Sequence, residues 1–348
     1  MVHDDLGSRW LGPWWTPLAA VWAVVLACRH ALYDWGFLPS HRGALPTLVL
    51  GNVELGGTGK TPHVMDVARR LESLLGKDTV GILSRGYGRT SSGFLWVNET
   101  PNWEDVGDEP WLMQSALPSA QVAVCENRVA GVRRMAEDRP KLKVVVLDDG
   151  LQHRALRPDV TLGLVARSLP RGAGWASLVP AGPYRDLPSR LQRCDHLVDT
   201  SGQNPSCAWS SRTETSPPVK WSLSNVPEDA SQVLDEPALL ITGIARPARV
   251  AESAKHHASV AGHAFYPDHH AFTAKDIVRW RTWMTEAGTQ SLLTTEKDAV
   301  RLRAHRDLLA GIHVWVLPLQ VVWHSGATCQ AFLESWTQTL PSQSKPLT

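Results

Sequence analysis

TLVLGNVELGGTGKT, from Thr47 to Thr61, contains a short apolar run (Leu48, Val49, Leu50) and a loop carrying Gly51, Gly56, Gly57 and Gly59. Lys60 and Thr61 close the loop, and a helical pattern begins at Pro62. Strand, glycine loop, Lys-Thr and helix is the order of the phosphate-cradling P-loop. Each part has a physical reason. Glycines let backbone N–H groups turn onto phosphate oxygens, and the helix N-terminus adds partial positive charge. In that arrangement Lys60 reaches the terminal phosphates and the Thr61 hydroxyl takes one position on Mg²⁺. Pro62 suits a first helical turn, where its missing N–H costs nothing. The common spacing G-x-x-x-x-G-K-[ST] asks for glycine five residues before Gly59, and here that residue is Glu54. The GGTGKT core is intact, so the stretch reads as a nucleoside-triphosphate loop.

Upstream, Trp10 to Cys28 contains no charged residue and is bracketed by Arg9 and Arg29. A spanning helix needs about 20 apolar residues, but Pro13 and Pro17 interrupt the first half of this segment. Trp10, Trp14, Trp15, Trp22 and Trp35 resemble interfacial anchors. There is no basic n-region of the kind that opens a signal peptide. The expectation is a helix lying in or dipping into a membrane surface, with a buried core helix as the alternative.

Downstream, the spacing of Val64, Val67, Leu71, Leu74 and Leu75 predicts a helix that stops at Gly76. Val80–Leu83 reads as a buried strand followed by Ser84-Arg85-Gly86-Tyr87-Gly88-Arg89. Val122–Val124 is the next strand and leads into Cys125-Glu126-Asn127-Arg128. Such alternation argues for a parallel α/β sheet with its ligands at the carboxyl ends of the strands, which places Arg85, Tyr87 and Arg89 to meet a ligand. KVVVLDD, Lys143 to Asp149, is the second strong signal. An apolar strand ending in carboxylates is what a P-loop needs to hold Mg²⁺ or its waters, so Asp148 and Asp149 are metal candidates. Asp108 and Glu109, in Gly107-Asp108-Glu109-Pro110, open another helical pattern and can be read as first-turn acids complementing the helix dipole. Val160–Val165 is a further strand.

At 348 residues the chain suggests two domains, at about 150 residues each. Its net charge of +1 gives no sign of a nucleic-acid partner. Five cysteines without a C-x-x-C pair read as free thiols in a reducing compartment. A Ser-, Thr-, Asn- and Pro-rich stretch after Ser201 marks a boundary. From Ala238, ALLITGIARP restarts the α/β pattern, and Phe265-Tyr266-Pro267-Asp268-His269-His270 and Thr294-Thr295-Glu296-Lys297-Asp298 follow. The expected organisation is a hydrophobic helix at 1–36, a P-loop domain at 37–205, a linker at 206–235, a smaller α/β domain at 236–340 and a disordered tail at 341–348. The fold class is α/β: a P-loop NTPase-like, mostly parallel sheet, with the second domain and the membrane-associated helix added.

GNVELGGTGKTP, SRGYGR, GDEP, CENR, LDDGLQH, LVPAGPYRD, YPDHH and TTEKDAV occur in this order. In that order and spacing the chain closely resembles the tetraacyldisaccharide 4′-kinases of lipid A biosynthesis, over most of its length. The resemblance implies phosphoryl transfer from ATP to the 4′-hydroxyl of an acylated disaccharide lipid, with Mg²⁺, at the cytoplasmic face of a Gram-negative inner membrane. It implies no obligate protein partner. It makes Glu54, Leu55, Gly56, Gly57, Thr58, Gly59, Lys60 and Thr61 the nucleotide loop, with Tyr87 and Arg185 beside it. Glu54 stands where the family also lacks the usual glycine. Asp108 and His269 match the family's acid–histidine pair, although His270 is adjacent. Arg128 falls on another of its active-site positions, and Asp186 joins Thr61, Asp148 and Asp149 as a metal candidate. The family usually has Glu where this chain has Asp186. The rival class, a membrane-associated P-loop NTPase switch, wants a lysine just before the Gly-Gly pair, and Leu55 stands there.

Overall fold

The computed structural model describes residues 13–100, 102–167, 175–202, 204, 207–221, 234–324 and 326–341. Trp10 and the start of the hydrophobic segment, residues 206 and 222–233 of the expected linker, and nearly all of the expected tail lie outside them. The chain divides into two compact units, a larger one containing 8–212 and 321–348 and a smaller one containing 213–320.

In the larger unit, α1 (Thr16–Asp34) is followed by β1 (His41–Arg42), β2 (Thr47–Gly51), α2 (Lys60–Leu75), β3 (Val80–Ser84) and β4 (Leu95–Trp96). Then come α3 (Asp108–Ala116), β5 (Gln121–Val124), α4 (Arg128–Asp138), β6 (Val144–Asp148), β7 (Leu156–Arg157), β8 (Val160–Val165), β9 (His196–Asp199) and β10 (Trp209–Thr215). The sheet contains the run β10-β9-β8-β2-β6-β3-β5-β4, and β16 (Leu319–Trp323) is added beside β10 as a ninth strand. Every pairing in that run is parallel except β4 on β5, which is antiparallel. β2, β3 and β6 are buried at every residue, as expected of parallel strands covered on both faces. Leu50 pairs with Asp148, so the strand feeding the glycine loop ends beside the acid.

α1 buries only Ala19, Leu26 and His30. Ala19 and Leu26 pack on Val53, Val165, Leu178, Tyr184 and Leu191. Trp14, Leu18, Val21, Trp22, Val25, Leu32 and Trp35 are exposed along the rest of the helix and its flanks. At 19 residues it is long and apolar enough to cross a bilayer, yet its polar ties are to the protein. Arg29 donates to the Gln152 carbonyl at 2.8 Å, and His30 Nε2 lies 2.8 Å from Asp186 Oδ1.

The smaller unit contains β11 (Val219–Lys220), β12 (Ala238–Thr242), α5 (Pro247–Ala254), β13 (Val260–Phe265), α6 (Ala274–Ala287), β14 (Ser291–Thr295), α7 (Glu296–Leu302) and β15 (His313–Leu317). Its sheet order is β11-β15-β14-β12-β13, parallel apart from β11. β16 (Leu319–Trp323) then leads to α8 (Gly326–Thr339). The expected C-terminal domain included this last helix, but α8 belongs to the larger unit. Arg70 on α2 donates to Gln330 at 3.1 Å, and Cys329 and Leu333 are buried. Helical spacing shows that α8 has an apolar face, but not which sheet that face covers.

Candidate functional site

The site grows from the carboxyl ends of β2, β3 and β6. Gly59 caps α2 at φ +82, a backbone state that costs a side-chain-bearing residue and suits glycine. Asn52, fully buried just after β2, donates from Nδ2 to Thr58 Oγ1 at 2.8 Å. Its Oδ1 accepts from Lys60 Nζ at 3.2 Å and from Arg185 Nη2 at 2.6 Å. Arg185 also holds Asp149 through Nη1 at 2.7 Å, and Lys60 Nζ lies 3.8 Å from the same carboxylate. Asn52, Lys60, Asp149 and Arg185 thus form one connected cluster, and Thr61 sits in the first turn of α2 beside it.

The two acids of KVVVLDD differ. Burial pushes Asp149 up, but Lys60 and Arg185 outweigh that and the net direction is down. Its backbone sits at φ +53, a region where Asp is commoner than most residues and which still stores strain. Asp148 is pushed up to about 7, by burial first and then by the negative charge of Glu109 and Asp149. Its Oδ2 accepts from Ser84 Oγ at 2.9 Å, while Oδ1 is buried without a hydrogen bond. A buried carboxylate with one oxygen satisfied and the other without a hydrogen bond matches the donor chemistry of a hard cation. Among the described residues no three His, Cys, Asp or Glu groups could hold a metal ion together, so a cation here needs the Thr61 hydroxyl and substrate phosphates as well.

Arg128, 3 % exposed, donates to the Cys125 carbonyl and, at 3.4 Å, to the Asp148 carbonyl. Burial lowers its pKa, and Asp148 and Asp149 oppose that. Asp108 is buried at the start of α3, where its Oδ1 accepts from the Glu109 N–H at 2.9 Å. The GDEP and SRGYGR loops press together there. A Cβ on Gly107 would stand 3.1 Å from the Tyr87 carbonyl, and Gly107 has φ +96. Tyr87 itself is exposed.

Four expectations change. Glu54 is 1 % exposed and points away from the loop, its Oε1 accepting from the Ala166 N–H at 2.9 Å and its Oε2 lying 3.5 Å from Arg167. The Leu55 N–H donates to the Pro183 carbonyl at 2.8 Å and so is not offered to phosphate. Asp186, expected with the metal acids, holds His30, the Leu187 N–H and Gln152. Burial raises Asp186, and His30, the Leu187 N–H and Gln152 together outweigh it, leaving its pKa below the usual value. Arg89, expected to face a ligand, is paired with Glu126 and the Gly93 carbonyl. Sequence reasoning also missed Asn52 and Ser84, and it treated His153 only as part of a motif. His153 has a buried Nε2 without a hydrogen bond, and burial followed by Arg128, Arg29 and Arg85 lowers its pKa to about 4. The one available signal was a polar residue directly after each fully apolar strand.

His269 lies in the smaller unit, with its backbone at φ +59 and Nε2 3.1 Å from Lys297 Nζ. Its neighbour His270 is occupied structurally, 3.3 Å from Asp276 and stacked on Tyr266 at 4.5 Å.

Comparison with known proteins gives one consistent result. The family pattern described as tetraacyldisaccharide-1-P 4′-kinase matches residues 11–338. The tetraacyldisaccharide 4′-kinase of Polaromonas naphthalenivorans is 34 % identical over 306 residues, 86 % of this chain and 84 % of that protein. The same-named protein of Idiomarina loihiensis is 32 % identical over 288 residues, 82 % of each chain. The crystal structure of "apo" form LpxK from Aquifex aeolicus in complex with ATP superposes with a TM-score of 0.74. It is 26 % identical and covers 92 % of this chain and 98 % of its own.

Proposed function

The chain belongs to the tetraacyldisaccharide-1-phosphate 4′-kinase family, and from that premise we propose how its own residues divide the work. It is an ATP-dependent lipid kinase that transfers the γ-phosphate to the 4′-hydroxyl of a tetraacyldisaccharide 1-phosphate, a step of lipid A biosynthesis.

The observation that carries the assignment is the cluster around Asn52, where Lys60, Arg185 and Asp149 meet at the mouth of the glycine loop. Phosphoryl transfer asks mainly for neutralised charge and an aligned nucleophile. Lys60, the N–H groups from Gly56 to Thr61 and Arg128 neutralise the phosphates. Asn52 and Asp149 hold Lys60 and Arg185 in place before ATP arrives. Thr61 and Asp148, with Asp149 behind them, would hold Mg²⁺, which supplies positive charge to the β- and γ-phosphates. Asp186 is reassigned to anchoring α1 through His30. Asp108 accepts the proton of the 4′-hydroxyl and His269 acts with it. Tyr87, exposed beside the Asp108 loop, faces substrate. The apolar face of α1 rests on the cytoplasmic surface of the inner membrane, which brings the site to an acylated substrate.

Labelled ATP, a tetraacylated disaccharide 1-phosphate and the Asp108→Ala variant test the division of roles. The expected result is a kcat lower by roughly 10²–10⁴ with KM for ATP retained. Lost ATP binding with near-normal kcat would sink the Asp108 assignment. Deleting residues 1–35 should lower membrane association and turnover of long-chain substrate more than ATP affinity, and unchanged fractionation would overturn the placement of α1 at the membrane.

A further inference from the structure

The TTEKDAV stretch is left without a task by the roles above, yet in the smaller unit it touches both segments that shape the histidine loop. Thr295 caps α7, its Oγ1 accepting from the Asp298 N–H at 3.2 Å. Asp298 is fully buried and its carboxylate accepts four donors. These are Thr242 Oγ1 at 2.7 Å, Thr295 Oγ1 at 2.6 Å, the Gly243 N–H at 3.0 Å and Arg301 Nη2 at 2.5 Å. Arg301, 2 % exposed, donates on to the Gly243 carbonyl at 2.9 Å and the His270 carbonyl at 3.0 Å. The His269 N–H in turn donates to the Gly243 carbonyl at 3.2 Å. One helical turn therefore fixes the end of β12 and the loop that holds His269 in its left-handed backbone state.

The same turn presents Lys297 to the imidazole. Lys297 Nζ is 3.1 Å from His269 Nε2 and 3.5 Å from Asp268 Oδ1. An ammonium has donors and no acceptor, so in this contact Nε2 must be the acceptor. Asp268 Oδ2 pulls the other way, because a carboxylate beside Nε2 favours a proton there. It stands 3.9 Å off, beyond hydrogen-bond range, and the shorter contact decides. We propose that Lys297 is a positioning residue that holds His269 as the neutral imidazole with its proton on Nδ1, while Asp298 and Arg301 fix the loop at the distance this requires. The Nδ1–H is then the edge His269 offers to a carboxylate, since the hydrogen bond at one ring nitrogen sets the role of the other. This rests on the reading of His269 as the histidine that acts with Asp108.

The test uses the full-length kinase with ¹⁵N-labelled histidine, comparing wild type, Lys297→Met, Lys297→Arg and His269→Ala, the last identifying the His269 signals. In wild type the ¹⁵N shifts of His269 should report Nδ1–H. Lys297→Met should move the proton to Nε2 and lower kcat roughly 10–100-fold, the scale of a misplaced catalytic group, with KM for ATP unchanged as the check that the protein is folded. Lys297→Arg keeps a donor and should keep the Nδ1–H tautomer and most of kcat. An Nε2–H tautomer in wild type, or a Lys297→Met protein with unchanged tautomer and kcat within twofold, overturns the proposal. Equal loss of kcat in both lysine variants with the tautomer unmoved also overturns it. Full activity in His269→Ala would instead overturn the underlying reading of the histidine, whatever the lysine variants do.

Discussion

Asp148 and Asp298 each stand at the carboxyl end of a parallel strand, one closing β6 and the other in the helical turn after β14. Both are buried. Around Asp298 every direction is answered, with two hydroxyls, one backbone N–H and one guanidinium converging on its two oxygens. Around Asp148 one hydroxyl reaches Oδ2, Oδ1 is buried without a hydrogen bond, and the negative charges of Glu109 and Asp149, with burial, outweigh the opposing charge of Lys60. Burying a carboxylate costs several kcal/mol unless partners offset it. A satisfied buried acid is therefore a structural member, and an unsatisfied one among like charges is built for a ligand that brings positive charge.

The largest effect should come from breaking the satisfied acid. Asp298→Ala leaves Arg301 buried with its carboxylate gone, and losing one partner of such a pair costs about 3–5 kcal/mol. Denaturant unfolding should show that loss in the smaller unit. A variant within about 1 kcal/mol of wild type would mean that the Asp298 network is decoration.

Asp148→Asn should behave in the opposite way. Activity should fall by about 10²–10³, the scale of removing one preorganised electrostatic contact. Stability in metal-free buffer should rise. The native pKa of Asp148 is about 7 against the usual 3.8, so the native state loses stability as pH climbs from about 4 to 7 and the loss is complete above that. At pH 8 the neutral Asn escapes it, and a higher Tm than wild type is expected. A lower Tm at pH 8 would show that Asp148 is satisfied in a way its oxygens do not reveal.

The same contrast explains what was legible beforehand. The parallel α/β sheet shows in the sequence because fully apolar runs such as VVVL before Asp148 have one simple explanation, and because Gly59 answers a backbone requirement that only the local chain imposes. Neighbours in sequence carried that much. Asn52 was missed because its importance lies in Arg185, 133 positions away, and Asp186 was misread because its partner His30 lies 156 positions before it. Glu54 was noticed as an oddity in the glycine loop, but only the fold shows its carboxylate turned back onto Ala166. Asp148 and Asp298 look alike as residues. What separates them is the list of donors that tertiary structure delivers.

A smaller effect is expected from pH alone. A proton on Asp148 must leave before a cation can bind, so apparent Mg²⁺ affinity should fall by about tenfold for each pH unit well below 7 and level off above it. Titrating Mg²⁺ against nucleotide-bound protein between pH 5.5 and 8.5, values set on either side of the Asp148 pKa, measures this. A flat profile would show that Asp148 is already ionised across the range and that its surroundings are less hostile to charge than the geometry implies.

The smallest effect isolates the cause. Burial is the largest contribution to the raised pKa of Asp148, and Glu109 is the next. Glu109→Gln removes one negative charge from the first turn of α3 and leaves the burial of Asp148 intact. The pH at which Mg²⁺ affinity levels off should then move down, but by less than the part that burial contributes, since burial is the larger cause. It should remain well above 3.8, because desolvation persists. If Glu109→Gln instead returned the midpoint to the ordinary carboxylate range, like-charge repulsion would outrank burial. The distinction between Asp148 and Asp298 would then lie in the company of acids each keeps, and the count of hydrogen bonds would be secondary.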